Sequence, residues 1–557
     1  MLAFILLCIR KFGKINSIIL LTFISQLLLS MKKITFLLLI LSIISCKKEA
    51  LSVAFDNSII KDTVLNVIIR PVHPDLLSEK SDSLKLYYQK FNFHEIWYLD
   101  ENRKDLINEI KFCYEDGLNP NDYEIKIIED LESKRAKLND EDIVKYDILL
   151  TETFDKLANH LHKGKLNPKE LYTDWDLKPK EIALSPLLEK GVKEKTIAST
   201  FKDLKPNHIV YQSLKKSLFE IDKFPNVTFE KIAVKNKIVV NDTLPEMVKI
   251  KKRLAYWKDY KNKDSIITWA YDTLTLKAVK RFQARHGLAP DGVIGIGTLR
   301  ALNTTKNERI EQIFANLERW KWYPSDLGKQ YLIANIPDYM LHYVIDNDTV
   351  ASHKIVVGTP KRKTPILSSK LSNFVFNPTW TIPPTIIKED LTPEASKNRN
   401  YFPSRKLTIY NSQGKEVSPY EWNPARANNY KYVQKPGYNN SLGLVKFNFA
   451  NRHSVYLHDT NHREYFVKTY RSLSSCCVRV ENPLVLTKQI LTKTNPNKWD
   501  NNEIDSIIKL EKTKTVSVKD TVNVYLFYWT SWIENDKLQF RDDIYELDKV
   551  LFQKLRN

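Results

Sequence analysis

"HSVYLHDTNHREYFVKTYRSLSSCCVRVENP", residues 453–483, opens with alternating apolar and polar positions and reaches two adjacent cysteines. Val455 and Leu457 fall on one face of an extended segment, and Ser454, Tyr456 and His458 on the other. His458 ends the run, where a side chain can project into a cleft. It precedes Cys477 by 19 residues, enough chain for a loop to bring the two together. A cysteine nucleophile needs an imidazole to take its proton and backbone donors for an oxyanion. Taken alone, Cys476 and Cys477 also suit a metal pair, a redox switch or two buried small residues. His453 and His462 belong on solvated loops. His458 and His462 have the i, i+4 spacing of a zinc-binding helix, but a β-alternating run would not turn both imidazoles to one metal.

Outward from this stretch the pattern stays β-rich. "YLIANI" (331–336), "YMLHYVID" (339–346) and "VASHKIVVG" (350–358) read as strands, with Asn347-Asp348 as a turn. "GLVKFNF" (443–449) and "TVNVYLFYW" (521–529) read the same way. Between Leu391 and Asn440 a segment rich in Pro, Asn, Tyr and Lys lacks a period, which predicts a mobile capping loop. The N-terminal third is helical in pattern. "YDILLTETFDKLANHLHKGKL" (146–166) sets Leu150, Phe154, Leu157 and Leu161 on one face, and Cys113 reads as a buried apolar residue. "LPEMVKIKKRLAYW" (244–257) and "DTLTLKAVKRFQARHGLAPDGVIGIGTLRALN" (272–303) predict three short helices around a Pro290-Asp291-Gly292 turn.

The run Phe282-Gln283, Gly287-Leu288, Asp291-Gly292, Gly295, Thr298-Leu299 and Ala301-Leu302-Asn303 resembles the three-helix peptidoglycan-binding domain. "YLHDT … SLSSCCVRVENP" resembles the active site of L,D-transpeptidases with the YkuD-type catalytic domain, and more narrowly their large YcbB-like Gram-negative branch. "VGTPKRKTPILSSKLSNFVFNPTWTIP" (357–383), "KPGYNNSLGLVKFNF" (435–449) and "FRDDIYELD" (540–548) match it too. The resemblance implies a multidomain α+β fold: helical scaffold, three-helix peptidoglycan-binding domain, and mixed β-rich catalytic domain with an inserted capping loop. The expected boundaries are 76–243, 244–306 and 307–505 with the loop at 391–440, then a C-terminal strand and helix over 506–557.

Carried over residue by residue, the resemblance makes Cys477 the nucleophile and His458 its base. Ser475, Cys476, Arg479 and Asn482 support the motif or the oxyanion, and Tyr456, Trp380 and Gly443 line or shape the cleft. Expected substrates are peptidoglycan stem peptides, a tetrapeptide donor and an amine acceptor, joined as 3-3 cross-links through a cysteine thioester. Water as acceptor gives an L,D-carboxypeptidase, and carbapenems are expected inhibitors. No metal or organic cofactor is implied. Cys476 departs from the family, which has glycine there. In a left-handed conformation it costs about 1–2 kcal/mol, although its N–H remains available in principle to an oxyanion. The alternative is an impaired wall-binding lipoprotein. Neighbouring Cα atoms lie about 3.8 Å apart, closer than disulfides favour, so a vicinal disulfide would be strained and readily reduced.

The bulk numbers agree with a soluble, several-domain chain: 557 residues, 43% hydrophobic and 27% charged. The net charge of +20 is not gathered into a basic, aromatic-interleaved block, which argues against nucleic acid and leaves an anionic partner. "MKKITFLLLILSIISCKKEA" (31–50) has a basic start, a 12-residue apolar run and Ile43-Ile44-Ser45-Cys46, resembling a bacterial lipobox. Met31 is then the expected start, 1–45 the signal region, Cys46 the lipidated residue and 46–75 a tether. Loss of 1–45 removes five basic residues and no acids, leaving +15. The expected location is periplasmic, lipid-anchored, on the outer membrane.

Overall fold

The computed structural model describes residues 56–62, 67–261, 267–494, 498–499 and 501–557. The expectations for Met31 and Cys46 lie outside the described residues. A small pair of strands, β1 (Ile60–Asp62) and β2 (Val67–Ile69), precedes the helical part. Its long helix, Asp140–Lys163, starts where Asn139 accepts from the Asp142 N–H, and it buries Leu150, Phe154, Leu157 and Leu161 completely. These pack with Leu106, Ile110, Phe201 and the buried Cys113 in one cluster. From this part β3 (Trp175–Asp176) reaches over to pair with the catalytic sheet.

Helices Glu246–Tyr256, Thr273–Arg285 and Ile296–Asn303 form the next unit around buried Ala278, Val279, Phe282 and Leu302. The helix Lys306–Trp322 follows at once. Thr305 and Glu308 close a reciprocal capping box at its start. It is buried on nearly every side, so its charges are paired internally: Lys321 with Glu318 at 3.1 Å, and Arg319 with Asp548 at 2.8 Å.

The catalytic sheet begins with β4 (Gln330–Asn335), β5 (Met340–Ile345), β6 (Asp348–Gly358) and β7 (Ile366–Phe376). It continues through β12 (Val445–Phe449), β13 (Leu457–His458), β14 (Ser472–Ser474) and β15 (Val478–Val480). It is completed by β16 (Lys514–Ser517) and β17 (Asn523–Phe527). The ladder runs β12-β13-β15-β6-β5-β4-β17-β7, and β12 also pairs with β7, which closes it. The β5–β6 turn falls at Asp346-Asn347, one residue before the expected Asn347-Asp348. Both residues are left-handed (φ 48° and 71°), as a two-residue hairpin turn requires.

Two expectations change here. The C-terminal stretch is not one appended strand and helix. It carries four strands, adding β18 (Ser531–Glu534) and β19 (Lys537–Phe540), and a boundary at 505 would cut the helix Asn501–Lys509. Strand β17 lies inside the ladder, parallel to β4 and antiparallel to β7, which is why Val524, Leu526 and Phe527 are fully buried.

The capping segment, expected over 391–440, begins earlier and has a sheet of its own. β8 (Trp380–Thr381), β9 (Leu407–Tyr410), β10 (Glu416–Val417) and β11 (Lys431–Gln434) form a four-stranded sheet in the order β10-β9-β11-β8. A π-helical turn, Ile387–Leu391, and short helices pack on it around Leu391, Phe402, Ile409, Trp422 and Tyr432. Strands of two to four residues, interrupted by prolines, are too short to show a period in sequence. Among the described residues no helix is long and apolar enough to cross a membrane.

Candidate active site

Strand pairing sets the site. β13 runs parallel to β15, with Leu457 opposite Val478 and His458 opposite Arg479. The pairing continues backwards as the Val478 N–H donates to the Tyr456 carbonyl at 3.2 Å, so Cys477 stands level with the Tyr456–His458 stretch. Cys477, His458, Arg479, Ser475, Tyr456 and Trp380 all line one open cavity of about 1200 Å³ beneath the lid. His462 leaves the strand and pairs with Glu464 at 2.8 Å on the wall of the same cavity, while His453 lies 3.7 Å from Asp176. The zinc-helix geometry is therefore not formed.

His458 is buried, 5% exposed. Its Nδ1–H donates to the Asp459 carbonyl, which leaves Nε2 as the basic nitrogen. Burial first, then the Arg479 guanidinium, hold the imidazole down to about 3. Burial pushes the Cys477 thiol up to about 11, against hydrogen bonds from the Tyr456 backbone and hydroxyl and the field of Lys446. At neutral pH both groups are uncharged. The arrangement suits proton removal by a neutral base during attack, not a standing thiolate–imidazolium pair.

The supporting expectations divide. Cys476 is left-handed, φ 72°, the conformation for which glycine is suited. Its N–H is not free for an oxyanion: it donates to the Arg362 carbonyl at 3.2 Å, while its own carbonyl accepts from Thr364 Oγ1 at 2.7 Å. Asn482 stands off the cavity. It is exposed and left-handed (φ 49°) where the chain turns into the helix Pro483–Thr494. Gly443 shapes the site from behind: a Cβ there would stand 2.2 Å from an Asp459 carboxylate oxygen, and its φ of 59° is left-handed as well. That carboxylate accepts from the Leu444 N–H at 2.9 Å and from Arg463 at 2.6 Å, which fixes the residue whose carbonyl orients His458. Arg479 Nε and Nη1 are buried without a hydrogen-bond partner among the described residues. Its guanidinium lies 5.5 Å from the Tyr465 ring centre.

Four contributors carried no assigned role in sequence. Lys446, opposite His458 in the β12–β13 register, places its ammonium 3.8 Å from the Tyr456 ring centre. Arg362 and Thr364 hold the Cys476 peptide. Tyr545 holds their loop, donating from its hydroxyl to the Gly358 carbonyl at 2.7 Å and accepting from the Thr364 N–H at 3.0 Å. Gly358 permits that fold-back, since a Cβ there would meet the Arg362 carbonyl at 2.1 Å. These residues lie in "VGTPKRKTP", "GLVKFNF" and "FRDDIYELD", which were legible as segments but not as contacts.

The fold and site define a class. Residues 329–508 match the YkuD model, described as L,D-transpeptidase catalytic domain, residues 243–302 match "Putative peptidoglycan binding domain", and residues 82–218 match a scaffold domain. The chain thus carries an L,D-transpeptidase catalytic domain of YkuD type with a scaffold and a peptidoglycan-binding domain. It is 34% identical over 252 residues to a Haemophilus influenzae protein named "Putative L,D-transpeptidase", a match over 44% of this chain and 50% of that protein. The chain therefore spans about half the length of that curated relative. A solved L,D-transpeptidase from Xylanimonas cellulosilytica aligns over 53% of this chain and 99% of its own, at 16% identity and a TM-score of 0.17.

Proposed function

We propose that the chain is an L,D-transpeptidase that forms 3-3 cross-links in peptidoglycan through a thioester on Cys477. The observation that carries this reading is the convergence of Cys477, His458 and Arg479 on one cavity inside an L,D-transpeptidase catalytic domain. The Cys477 sulfur attacks the carbonyl of the third residue of a tetrapeptide stem while its proton passes to His458 Nε2. Collapse of the tetrahedral adduct breaks the amide bond, and His458 returns the proton to the departing D-alanine amine. A stem-peptide amine then attacks the thioester, which releases Cys477; water in its place gives the L,D-carboxypeptidase outcome. With the Cys476 N–H committed to Arg362, the Tyr456 hydroxyl, hydrogen-bonded to the Cys477 sulfur, is the side-chain donor for the oxyanion, and Ser475 lines the same cavity. Arg479 takes a substrate carboxylate.

The scaffold, 76–243, and the peptidoglycan-binding unit, 244–306, hold the catalytic unit against the wall, in a periplasmic protein anchored through Cys46. Carbapenems acylate Cys477. The test is intact mass of the reduced protein after incubation with tetrapeptide muropeptide, with the adduct mapped by digestion. An acyl adduct on Cys477 is the expected result; well-folded protein without one overturns the reading.

A second reading, a wall-binding protein with impaired chemistry, is favoured by one observation: the left-handed φ of 72° at Cys476. If only the Cys476→Gly variant acquires the adduct, that reading stands.

A further inference from the structure

Arg362 sits on the loop between β6 and β7, on the rim of the same cavity as Cys477. It joins two parts of the molecule that sequence holds apart. On one side its carbonyl takes the Cys476 N–H at 3.2 Å and its Nη1 donates to Ser475 Oγ at 3.3 Å. On the other, its guanidinium grips two consecutive acids of the lid's π-helical turn: Nε to Glu389 at 3.0 Å, and Nη1 and Nη2 to the two Asp390 oxygens at 2.8 and 2.9 Å. One cation against two carboxylates leaves this cluster net negative. The acids are half in solvent, at 51% and 47% exposure, whereas Arg362 is 20% exposed. Both carboxylates are open to solvent, so a competing carboxylate can approach the same guanidinium. The guanidinium remains seated by Ser475 whichever carboxylate it holds.

From this geometry we infer that Arg362 is a carboxylate receptor at the mouth of the cleft, occupied at rest by Glu389 and Asp390 and taken over by a carboxylate of the incoming peptide. Exchange frees the lid turn and moves its two carboxylates away from the guanidinium. Arg362 then selects carboxylate-bearing donors and ties lid position to their arrival. It is a positioning and specificity residue, since the bond to the Cys476 N–H comes from its main chain. The inference rests on reading Cys477 as the nucleophile.

Alkylation tests it without a stem peptide. Iodoacetate and iodoacetamide differ chiefly by a carboxylate, and adducts are counted at Cys477 by digestion, with a free cysteine peptide as reference. The Glu389→Gln/Asp390→Asn double variant should raise the iodoacetate-to-iodoacetamide rate ratio by about tenfold. Adding Arg362→Gln should abolish the gain. An unchanged ratio in the double variant, or a gain that survives loss of Arg362, overturns the inference. The unaltered full chain gives a second readout that needs no variant: amide hydrogen exchange over 387–397 in acetate against chloride at equal ionic strength. Faster exchange in acetate is expected, and equal exchange overturns the proposal. Neither measurement depends on acyl transfer, so a failed muropeptide assay would remove the transpeptidase reading without bearing on the carboxylate exchange at Arg362.

Discussion

At the residue scale, burial sets the protonation of the proposed nucleophile and base. His458 is neutral down to about 3 and Cys477 protonated up to about 11. The acid limb of kcat/KM should therefore fall far below the ordinary imidazole value of about 6.5. The pH–rate profile checks this, with folding monitored at each pH. In the absence of substrate, iodoacetamide should label Cys477 slowly at neutral pH and faster as pH approaches 11. Cys476 carries a different cost. Its left-handed backbone is tied at both ends of the peptide group, to Arg362 and Thr364, so it cannot relax. Cys476→Gly should raise stability by about 1 kcal/mol, read from urea denaturation. A loss instead would mean that the packing of its side chain outweighs the strain.

At the element scale, β13 carries the proposed base, β12 braces it and the lid roofs the cavity. Gly443→Ala would drive a Cβ into the Asp459 carboxylate and strain a left-handed residue. It should cost about 1–3 kcal/mol and displace the carbonyl that orients His458, lowering kcat more than it raises KM. The lid has its own core, in which Trp422, 2% exposed, donates to the Tyr432 hydroxyl at 2.6 Å. Trp422→Ala should remove about 3–5 kcal/mol from that core. Limited proteolysis should then cut within 380–434 while the catalytic sheet stays protected. Cleavage spread evenly along the chain would mean that the lid does not fold separately. The lid was visible in sequence only as a stretch without period, because its strands are short. Its apolar residues meet through turns that no window detects.

At the scale of the whole molecule, the scaffold, the peptidoglycan-binding unit and the catalytic sheet share structure. β3 leaves the helical part to pair with β7, and Arg285 of the peptidoglycan-binding unit donates to the Leu538 carbonyl of β19 at 3.3 Å. Buried neutral histidines lie in both units: His458, and His286, which is stacked on Phe282 at 3.9 Å and held well below its ordinary value by burial. A depressed imidazole binds its proton more readily in the unfolded chain. Stability should therefore fall as pH drops below about 6.5, by about 1.4 kcal/mol per pH unit for each such group until its folded value is reached. Thermal unfolding across this range checks the slope, and His286→Phe should make it shallower.

What the sequence determined by itself was local. The helical face of Leu150, Phe154, Leu157 and Leu161 follows from spacing along one helix, and the alternation around Val455 and Leu457 follows from the side-chain period of a strand. The identity of the catalytic domain was legible in its short runs because chemistry restricts which residues can stand there. The tertiary structure decided what depends on partners distant in the chain. It set β17 between β4 and β7, seated Tyr545 beneath the 358–364 loop, used the Cys476 N–H on Arg362, and turned Asn482 out of the site. The physical reason is that a hydrogen-bond donor or a strand edge is satisfied by whichever group folding brings to it, and that choice is made in space, not along the chain.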